Sequence, residues 1–207
     1  MSARGPHFSM IRGFALADWL TLGNAAAGMA AIFAVLRYLD RANQTVLLAA
    51  CALVAAAFVL DVLDGRVARW RQKSSLLGRE LDSLADIISF GVAPAVIAYG
   101  IGMRGLWDQV VLVYFVACGV SRLARFNITA EALSAGGDKV RYFEGTPIPT
   151  SLILVGMSAI AVWTGATGAG LWFGAVEFGA GMLHPLVLLY AVSGSLMISR
   201  TVRIPKF

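Results

Sequence analysis

The feature of this sequence that most constrains its fold is a series of apolar segments about twenty residues long, separated by short polar connections. An α-helix rises ~1.5 Å per residue and the hydrocarbon core of a bilayer is ~30 Å thick, so each segment is long enough to cross a membrane. Soluble domains contain roughly 25% charged residues. Only 14% of this chain is charged and 58% is hydrophobic. The sequence predicts an all-α, polytopic membrane helical bundle, with residues 1–207 forming a single domain.

Six membrane spans are predicted. Residues 1–16 precede them as a short basic segment that we expect to lie on the membrane surface. The Gly-rich stretch 165–182 is predicted to be either a loop at the membrane interface or a poorly formed helical hairpin. The spans cover approximately residues 17–39, 44–66, 80–101, 106–126, 148–166 and 180–199.

The distribution of basic residues predicts the orientation of the bundle. Of the 17 Lys and Arg residues, all except Arg37, Arg41 and Arg104 lie in the two terminal tails or in the second and fourth connections and the span ends that adjoin them. Connections rich in Lys and Arg remain in the cytoplasm. Both termini are therefore predicted to face the cytoplasm. The protein is predicted to span the cytoplasmic (inner) membrane. This bias and attraction to anionic lipids account for the net charge of +5, and no nucleic-acid partner is expected.

Four aspartates lie at the cytoplasmic ends of the second and third predicted spans. The first two are three residues apart and the last two are four apart, so each pair lies on one face of its helix. If the two helices pack side by side, the four carboxylates converge in one pocket. They are Asp61, Asp64, Asp82 and Asp86.

Four unpaired carboxylates in a partly dry site would repel one another by several kcal/mol, so we expect them to bind cations. Every offered ligand atom is oxygen, which favours Mg²⁺ or Mn²⁺. Two such ions bridged by carboxylates form a clamp for displacement at phosphorus. The alternative is a cation transporter, since intramembrane aspartates can also carry ions. The aspartates lie at one edge, however, and none of Asp40, Asp108 or Glu177 extends a path across the membrane.

The spacing D-x2-D-G-x2-A-R-x8-G-x3-D-x3-D resembles the signature of the CDP-alcohol phosphotransferases. Members of that family are six-helix membrane bundles and commonly form homodimers. The resemblance implies that the four aspartates hold two divalent metal ions and that Asp86 is also the general base. It also implies a CDP site near the first pair. The expected CDP-binding residues are Asp64, Gly65, Ala68, Arg69 and Gly78, with Thr21 and Asn24 on the first span as further polar contacts.

Other stretches resemble the membrane-embedded branch of this family that uses L-serine as the acceptor. They are "ADWLTLGNAAAG", "SRLARFN", "YFEGTPIPTS" and "LMISRTVRIPKF". The resemblance implies transfer of a phosphatidyl group from CDP-diacylglycerol to L-serine, with release of CMP. Inositol phosphate, glycerol phosphate or choline as the acceptor, or an archaeal ether lipid as the donor, remain alternatives.

Serine carries a carboxylate, so its site is expected to contain a cation. Arg122 and Arg125, at the cytoplasmic end of the fourth span, are the candidates, with Asn127 nearby. Arg141, at the entrance to the fifth span, is a further candidate.

Overall fold

The structure is a computed structural model that describes residues 14–70, 76–134, 142–199, 201 and 203–205. Its first two helices, α1 (Leu16–Arg41) and α2 (Gln44–Trp70), pack against each other along their length. Asp18 caps the start of α1 by accepting a 2.7 Å hydrogen bond from the backbone N–H of Ala15. Ala42 ends α1 in the left-handed conformation, with φ 52°, and allows the chain to reverse. Most of the predicted basic segment 1–16, and Arg141, lie outside the described residues.

The third span is a helix with a change of pitch. Helix α3 (Leu76–Asp86) continues through a π-helical segment (Ile87–Val92) into α4 (Ala93–Ile101). The backbone N–H of Ala93 donates to the carbonyl of Ile88, five residues back. Pro94 follows and has no N–H to donate, which favours a change of hydrogen-bond register here. The π segment brings Ser89 against α1, where its Oγ donates to the carbonyl of Asn24 at 2.9 Å.

The remaining helices complete the bundle. Helix α5 (Leu106–Ser134) packs against α7 (Leu188–Ile198), and α6 (Leu152–Trp163) packs against α2 and α4. Short 3₁₀ turns precede α6 and α7, at Ile148–Ser151 and Pro185–Val187. The buried core includes an edge-to-face pair between Phe115 on α5 and Tyr190 on α7, with ring centroids 5.3 Å apart. Strand β1 (Tyr142–Glu144) pairs antiparallel with β4 (Arg203–Pro205), joining the segment before α6 to the segment after α7.

The Gly-rich stretch 165–182 contains no helical hairpin, so that alternative is wrong. After a 3₁₀ turn at Gly168–Gly170, strands β2 (Val176–Phe178) and β3 (Gly181–Leu183) form a β-hairpin. Gly179 adopts φ +58° at the tight turn, a conformation that suits glycine. The indole of Trp107 donates to the carbonyl of Phe178 at 2.7 Å, and this hydrogen bond anchors the hairpin to α5.

Among the described residues, four helices are long and apolar enough to cross a membrane: Leu16–Arg41, Gln44–Trp70, Leu77–Ile101 and Leu106–Thr129. They coincide with the first four predicted spans. The fifth and sixth predicted spans coincide with shorter apolar helices, Ile148–Trp163 and Pro185–Ile198. The all-α membrane bundle predicted from the apolar segments is therefore confirmed in outline, with two helices shorter than expected.

Candidate active site

The start of α1, the end of α2 and the middle of the α3–α4 span meet at one end of the bundle. Asp61 and Asp64 come from α2, and Asp82 comes from α3. Each offers a carboxylate oxygen, and the three atoms all lie within 4.8 Å of one another. The convergence predicted from the spacing of the aspartates is therefore present for these three residues, which could hold a metal ion.

Asp86 lies one helical turn beyond Asp82 and is only 8% exposed. Its Oδ1 accepts a 3.3 Å hydrogen bond from the side-chain amide of Asn24. It also interacts electrostatically with Asp61, Asp64 and Asp82. Asp86 thus adjoins the three-carboxylate cluster, and Asn24 holds it from α1.

Helix α1 supplies the polar side chains that orient these carboxylates. Thr21 donates a 2.6 Å hydrogen bond from Oγ1 to Oδ2 of Asp64, and both residues are buried. Asn24 is fully buried, and its Oδ1 has no hydrogen-bond partner among the described residues. Thr21 and Asn24 were expected to meet the nucleotide. The structure places them against the aspartates.

Asp18 is a fifth acidic residue at this site, and the sequence analysis missed it. It is 6% exposed and interacts electrostatically with Asp64. Asp18, Thr21 and Asn24 follow one another at intervals of three residues, which places them along one side of α1. That periodicity was the signal that could have identified Asp18.

The aspartates have the donor set of a site for a hard divalent cation. Within the part of the chain that the structure describes, no Lys or Arg side chain forms a salt bridge with them. Several carboxylates gathered in a partly buried site without a bound cation would be strongly destabilising. Oxygen ligands alone are what Mg²⁺ and Mn²⁺ prefer.

The face of α2 next to Asp64 is open. A Cβ atom added at Gly65 would find no other atom within 4 Å, whereas most glycines inside the bundle are tightly packed. The Nε of Arg69 donates to the Gly65 carbonyl at 3.0 Å, which folds the exposed arginine back along the helix. Ala68 follows three residues after Gly65 on α2, and Gly78 lies near the start of α3. Both are half-buried. The surface of α2 at Gly65 is therefore open enough to accept an added side-chain atom.

Two of the three arginines predicted for the acceptor, Arg122 and Arg125, lie on α5. Arg122 interacts electrostatically with Asp86, and its guanidinium lies 5.8 Å from the ring centroid of Phe126. Its Nε is buried without a hydrogen-bond partner among the described residues. Arg125 is half-buried one turn further along α5.

Asn127, the third α5 residue predicted for the acceptor site, has its side chain engaged by α3. Its Oδ1 accepts a hydrogen bond from Ser83 at 3.1 Å, and its Nδ2 donates to both carboxylate oxygens of Glu80 at 3.2 Å. Neither Glu80 nor Ser83 was singled out from the sequence, because their role depends on which helix α3 meets.

Comparison with known proteins places this chain in a family. The model of the CDP-alcohol phosphatidyltransferase family matches residues 14–183, a range that includes all four predicted aspartates. The chain is 43% identical to CDP-diacylglycerol–serine O-phosphatidyltransferase of Saccharomyces cerevisiae over 97% of its own length and 74% of the yeast protein.

Two further relatives match over smaller shares. The protein of the same name from Mycobacterium bovis is 36% identical over 74% of this chain and 51% of its own length. The archaetidylserine synthase of Methanothermobacter thermautotrophicus is 37% identical over 68% of this chain and 56% of its own length. The family match and the yeast relative both span the aspartate-bearing helices, and the chain belongs to the CDP-alcohol phosphatidyltransferase family.

Proposed function

We propose that this protein transfers the phosphatidyl group of CDP-diacylglycerol to the hydroxyl of L-serine, giving phosphatidylserine and CMP. The printed names of the yeast and mycobacterial relatives support this donor and this acceptor. The observation that carries the proposal is the convergence of three carboxylate oxygens within 4.8 Å of one another, beside the open helix face at Gly65. Such an arrangement is suited to binding a metal-complexed diphosphate.

The residues that would hold the metal are Asp61, Asp64, Asp82 and Asp86. Two ions, Mg²⁺ or Mn²⁺, fit four carboxylates, which no His or Cys joins within the part of the chain that the structure describes. When bound, the ions would offset the negative charge of the diphosphate and of the departing CMP. The hydrogen bonds from Thr21 to Asp64 and from Asn24 to Asp86 orient two of these four ligands.

Asp86 is proposed as the general base, because a serine hydroxyl is a poor nucleophile at neutral pH. The hydroxyl proton would pass to the Asp86 carboxylate as the serine oxygen forms a bond to the lipid-linked phosphorus. The bond from that phosphorus to the bridging oxygen would break, and its electron pair would leave with CMP. The Asn24 amide holds one Asp86 oxygen in place and so helps to direct the carboxylate.

The CDP moiety is proposed to bind at the end of α2 and the start of α3. Gly65 and Ala68 would allow the nucleotide to approach the helix, Arg69 would face its diphosphate, and Gly78 would allow close approach from α3. The open space at Gly65 supports this placement. Thr21 and Asn24 would serve the same site mainly through Asp64 and Asp86, to which they are bonded.

Arg122 is proposed to bind the carboxylate of serine. Its buried Nε, which has no hydrogen-bond partner among the described residues, has a donor to offer. Its electrostatic interaction with Asp86 favours a position near the attacking hydroxyl. Arg125 and Arg141 would add positive charge at the entrance of the acceptor site. Asn127 was predicted to contact serine as well, but its hydrogen bonds to Ser83 and Glu80 favour a role in positioning α3.

The proposed topology has six spans, with both termini and the active site facing the cytoplasm of the inner membrane, and a homodimer as the assembled form. The positive-inside distribution supports this orientation. In this arrangement the acyl chains of the donor would lie between helices that face the bilayer. The name of the archaetidylserine synthase relative supports an alternative donor. In that alternative, the same site uses an archaeal ether lipid in place of CDP-diacylglycerol.

The proposal is tested by measuring CMP release from the purified protein supplied with CDP-diacylglycerol and Mn²⁺ or Mg²⁺. Serine is compared with glycerol phosphate, inositol phosphate and choline, and CDP-archaeol is compared with CDP-diacylglycerol. We expect metal-dependent release with serine, its loss in Asp86→Asn, and its retention in Asp40→Asn, which removes an exposed carboxylate at the opposite end of α1. Release with another acceptor alone would refute the serine assignment, and no release with any pair would refute the transferase.

A further inference from the structure

The side chain of Asn127 connects α5 to the helix that carries Asp82 and Asp86. Its carbonyl oxygen accepts from Ser83 Oγ at 3.1 Å, and its amide nitrogen lies 3.2 Å from each carboxylate oxygen of Glu80. The amide therefore uses both its acceptor and its donor on α3. A side chain committed in this way has little left to offer a substrate.

The two partners occupy a different side of α3 from the aspartates. At about 100° per residue, Ser83 and Glu80 lie about 60° apart, and Asp82 and Asp86 lie about 40° apart on a neighbouring face. A contact that holds the Ser83–Glu80 face against α5 therefore acts together with the Asn24–Asp86 hydrogen bond from α1 to set how far the aspartate face is rotated towards α2. Rotation of α3 by a fraction of a turn would move the Asp82 carboxylate away from Asp61 and Asp64.

Few side chains in this part of α3 are fully buried. Every residue from Leu77 to Leu84 is at least partly exposed, and the first fully buried side chain after Leu77 is that of Ala85. Where apolar burial is small, directional hydrogen bonds contribute a larger share of the energy that sets the orientation of a helix. The Ser83–Asn127–Glu80 link lies in this weakly packed half.

We infer that Asn127 is a positioning residue, which sets the rotation of α3 and thereby the affinity of the aspartate cluster for its divalent cation. The inference rests on the proposed function only for the nature of that cation. It differs from the role expected from the sequence, in which Asn127 contacts serine. The two roles predict different measurements.

The test exchanges the hydrogen-bond donor on Asn127 and the acceptor on Glu80. Asn127→Asp places a second carboxylate against Glu80 while keeping the acceptor for Ser83, so the two helices repel at this point. Glu80→Gln keeps an oxygen that can accept from Asn127. In the double variant Glu80→Gln/Asn127→Asp, the introduced amide can donate to the introduced carboxylate, and Ser83 can still donate as before.

The readout is Mn²⁺ binding to the purified protein without substrate, followed by the loss of the electron paramagnetic resonance signal of free Mn²⁺. We expect the Mn²⁺ dissociation constant to rise about tenfold in Asn127→Asp, the lower end of the range for residues that support metal ligands. It should rise less than about twofold in Glu80→Gln and return to within about twofold of the original in the double variant. Thr129→Ala, exposed on α5 and bonded only to the Arg125 carbonyl of its own helix, is the matched control and should leave Mn²⁺ binding unchanged.

Ser83→Ala provides a second test that introduces no charge, and we expect it to weaken Mn²⁺ binding about threefold. A double variant that binds Mn²⁺ as poorly as Asn127→Asp would overturn the inference. So would unchanged Mn²⁺ binding in Asn127→Asp together with a raised KM for serine, which is the signature of a substrate contact. Because Mn²⁺ binding is measured without lipid or serine, failure of the proposed transfer reaction would be recognised separately.

Discussion

The hydroxyl of Thr21 on α1 donates a 2.6 Å hydrogen bond to the carboxylate of Asp64 on α2, joining two helices across 43 positions of the sequence. Both residues are buried, at 4% and 5% exposure. A hydrogen bond to a charged group in such a place contributes about 1.5–3 kcal/mol. It therefore restricts the Asp64 side chain strongly before any ligand arrives.

Thr21→Val should reduce the transfer activity by removing this hydrogen bond with little change in side-chain volume. We expect kcat/KM for CMP release to fall about tenfold or more, and the Mn²⁺ concentration required for half-maximal activity to rise. Thr21→Ser keeps the hydroxyl and should stay within about threefold of the original protein. A Thr21→Val variant with the activity of the original protein would show that the hydroxyl of Thr21 is not required to orient Asp64.

Asp82→Asn should have opposite effects on stability with and without metal. In the presence of a chelator, removing one of the clustered negative charges relieves repulsion, so the melting temperature of the variant should be higher than that of the original protein. Adding Mn²⁺ should stabilise the original protein and have little effect on the variant.

The measurement is thermal unfolding in detergent, with and without Mn²⁺, alongside CMP release. Activity of Asp82→Asn should fall at least a hundredfold. A variant that is less stable than the original in chelator would contradict the view that the carboxylates are held together against their repulsion. Asp40→Asn again serves as the control, because Asp40 is exposed and far from the cluster along α1.

Gly65→Ala should affect substrate binding without affecting the fold. A Cβ atom at Gly65 has no neighbour within 4 Å, so the bundle should accommodate it and the melting temperature should be unchanged. If the nucleotide approaches this face, the added methyl group would stand in its way, and KM for CDP-diacylglycerol should rise about tenfold.

Gly156→Ala is the matched control for this change, since a Cβ at Gly156 on the exposed surface of α6 also meets no atom within 4 Å. It should leave both KM and melting temperature unchanged. An unchanged KM in Gly65→Ala would remove the nucleotide from this face of α2.

Asp108 is the residue whose replacement should destabilise the protein without touching the chemistry. It is fully buried at the start of α5, where its carboxylate accepts hydrogen bonds from the backbone N–H groups of Gly105 and His184 and meets the His184 ring at 2.6 Å. Asp108→Ala would leave two buried N–H donors unsatisfied, at a cost of about 1–3 kcal/mol each.

We therefore expect a clear fall in the melting temperature of Asp108→Ala, while kcat of the folded fraction in CMP release stays within about twofold. Glu177→Gln changes an exposed acidic residue on the neighbouring β-hairpin and should alter neither quantity. A large fall in the kcat of folded Asp108→Ala would mean that this end of the bundle communicates with the aspartates.

The helical membrane bundle and the helix faces that carry the aspartates could be predicted from the sequence alone. Apolar segments near twenty residues leave a helix as the way to satisfy the backbone in a bilayer, and spacings of three and four residues place side chains on one face of any helix. Each pair of aspartates could therefore be assigned to one helix face before the fold was known: Asp61 with Asp64 on α2, and Asp82 with Asp86 on α3. The Gly-rich stretch 165–182 resisted such reasoning, because its β-hairpin is held by contacts with Trp107, which precedes it by many residues.

The groups that each of these helix faces contacts depend on how the helices pack in three dimensions. Asn24 and Asp86 are separated by 62 positions and Ser83 and Asn127 by 44, so no local pattern relates them. The sequence marked Asn127 as polar and near Arg122 and Arg125, and an acceptor contact was the natural expectation. Packing of α3 against α5 instead gave its amide two partners. Periodicity sets the direction in which a side chain points from its helix, whereas the packing of distant helices sets which group lies there.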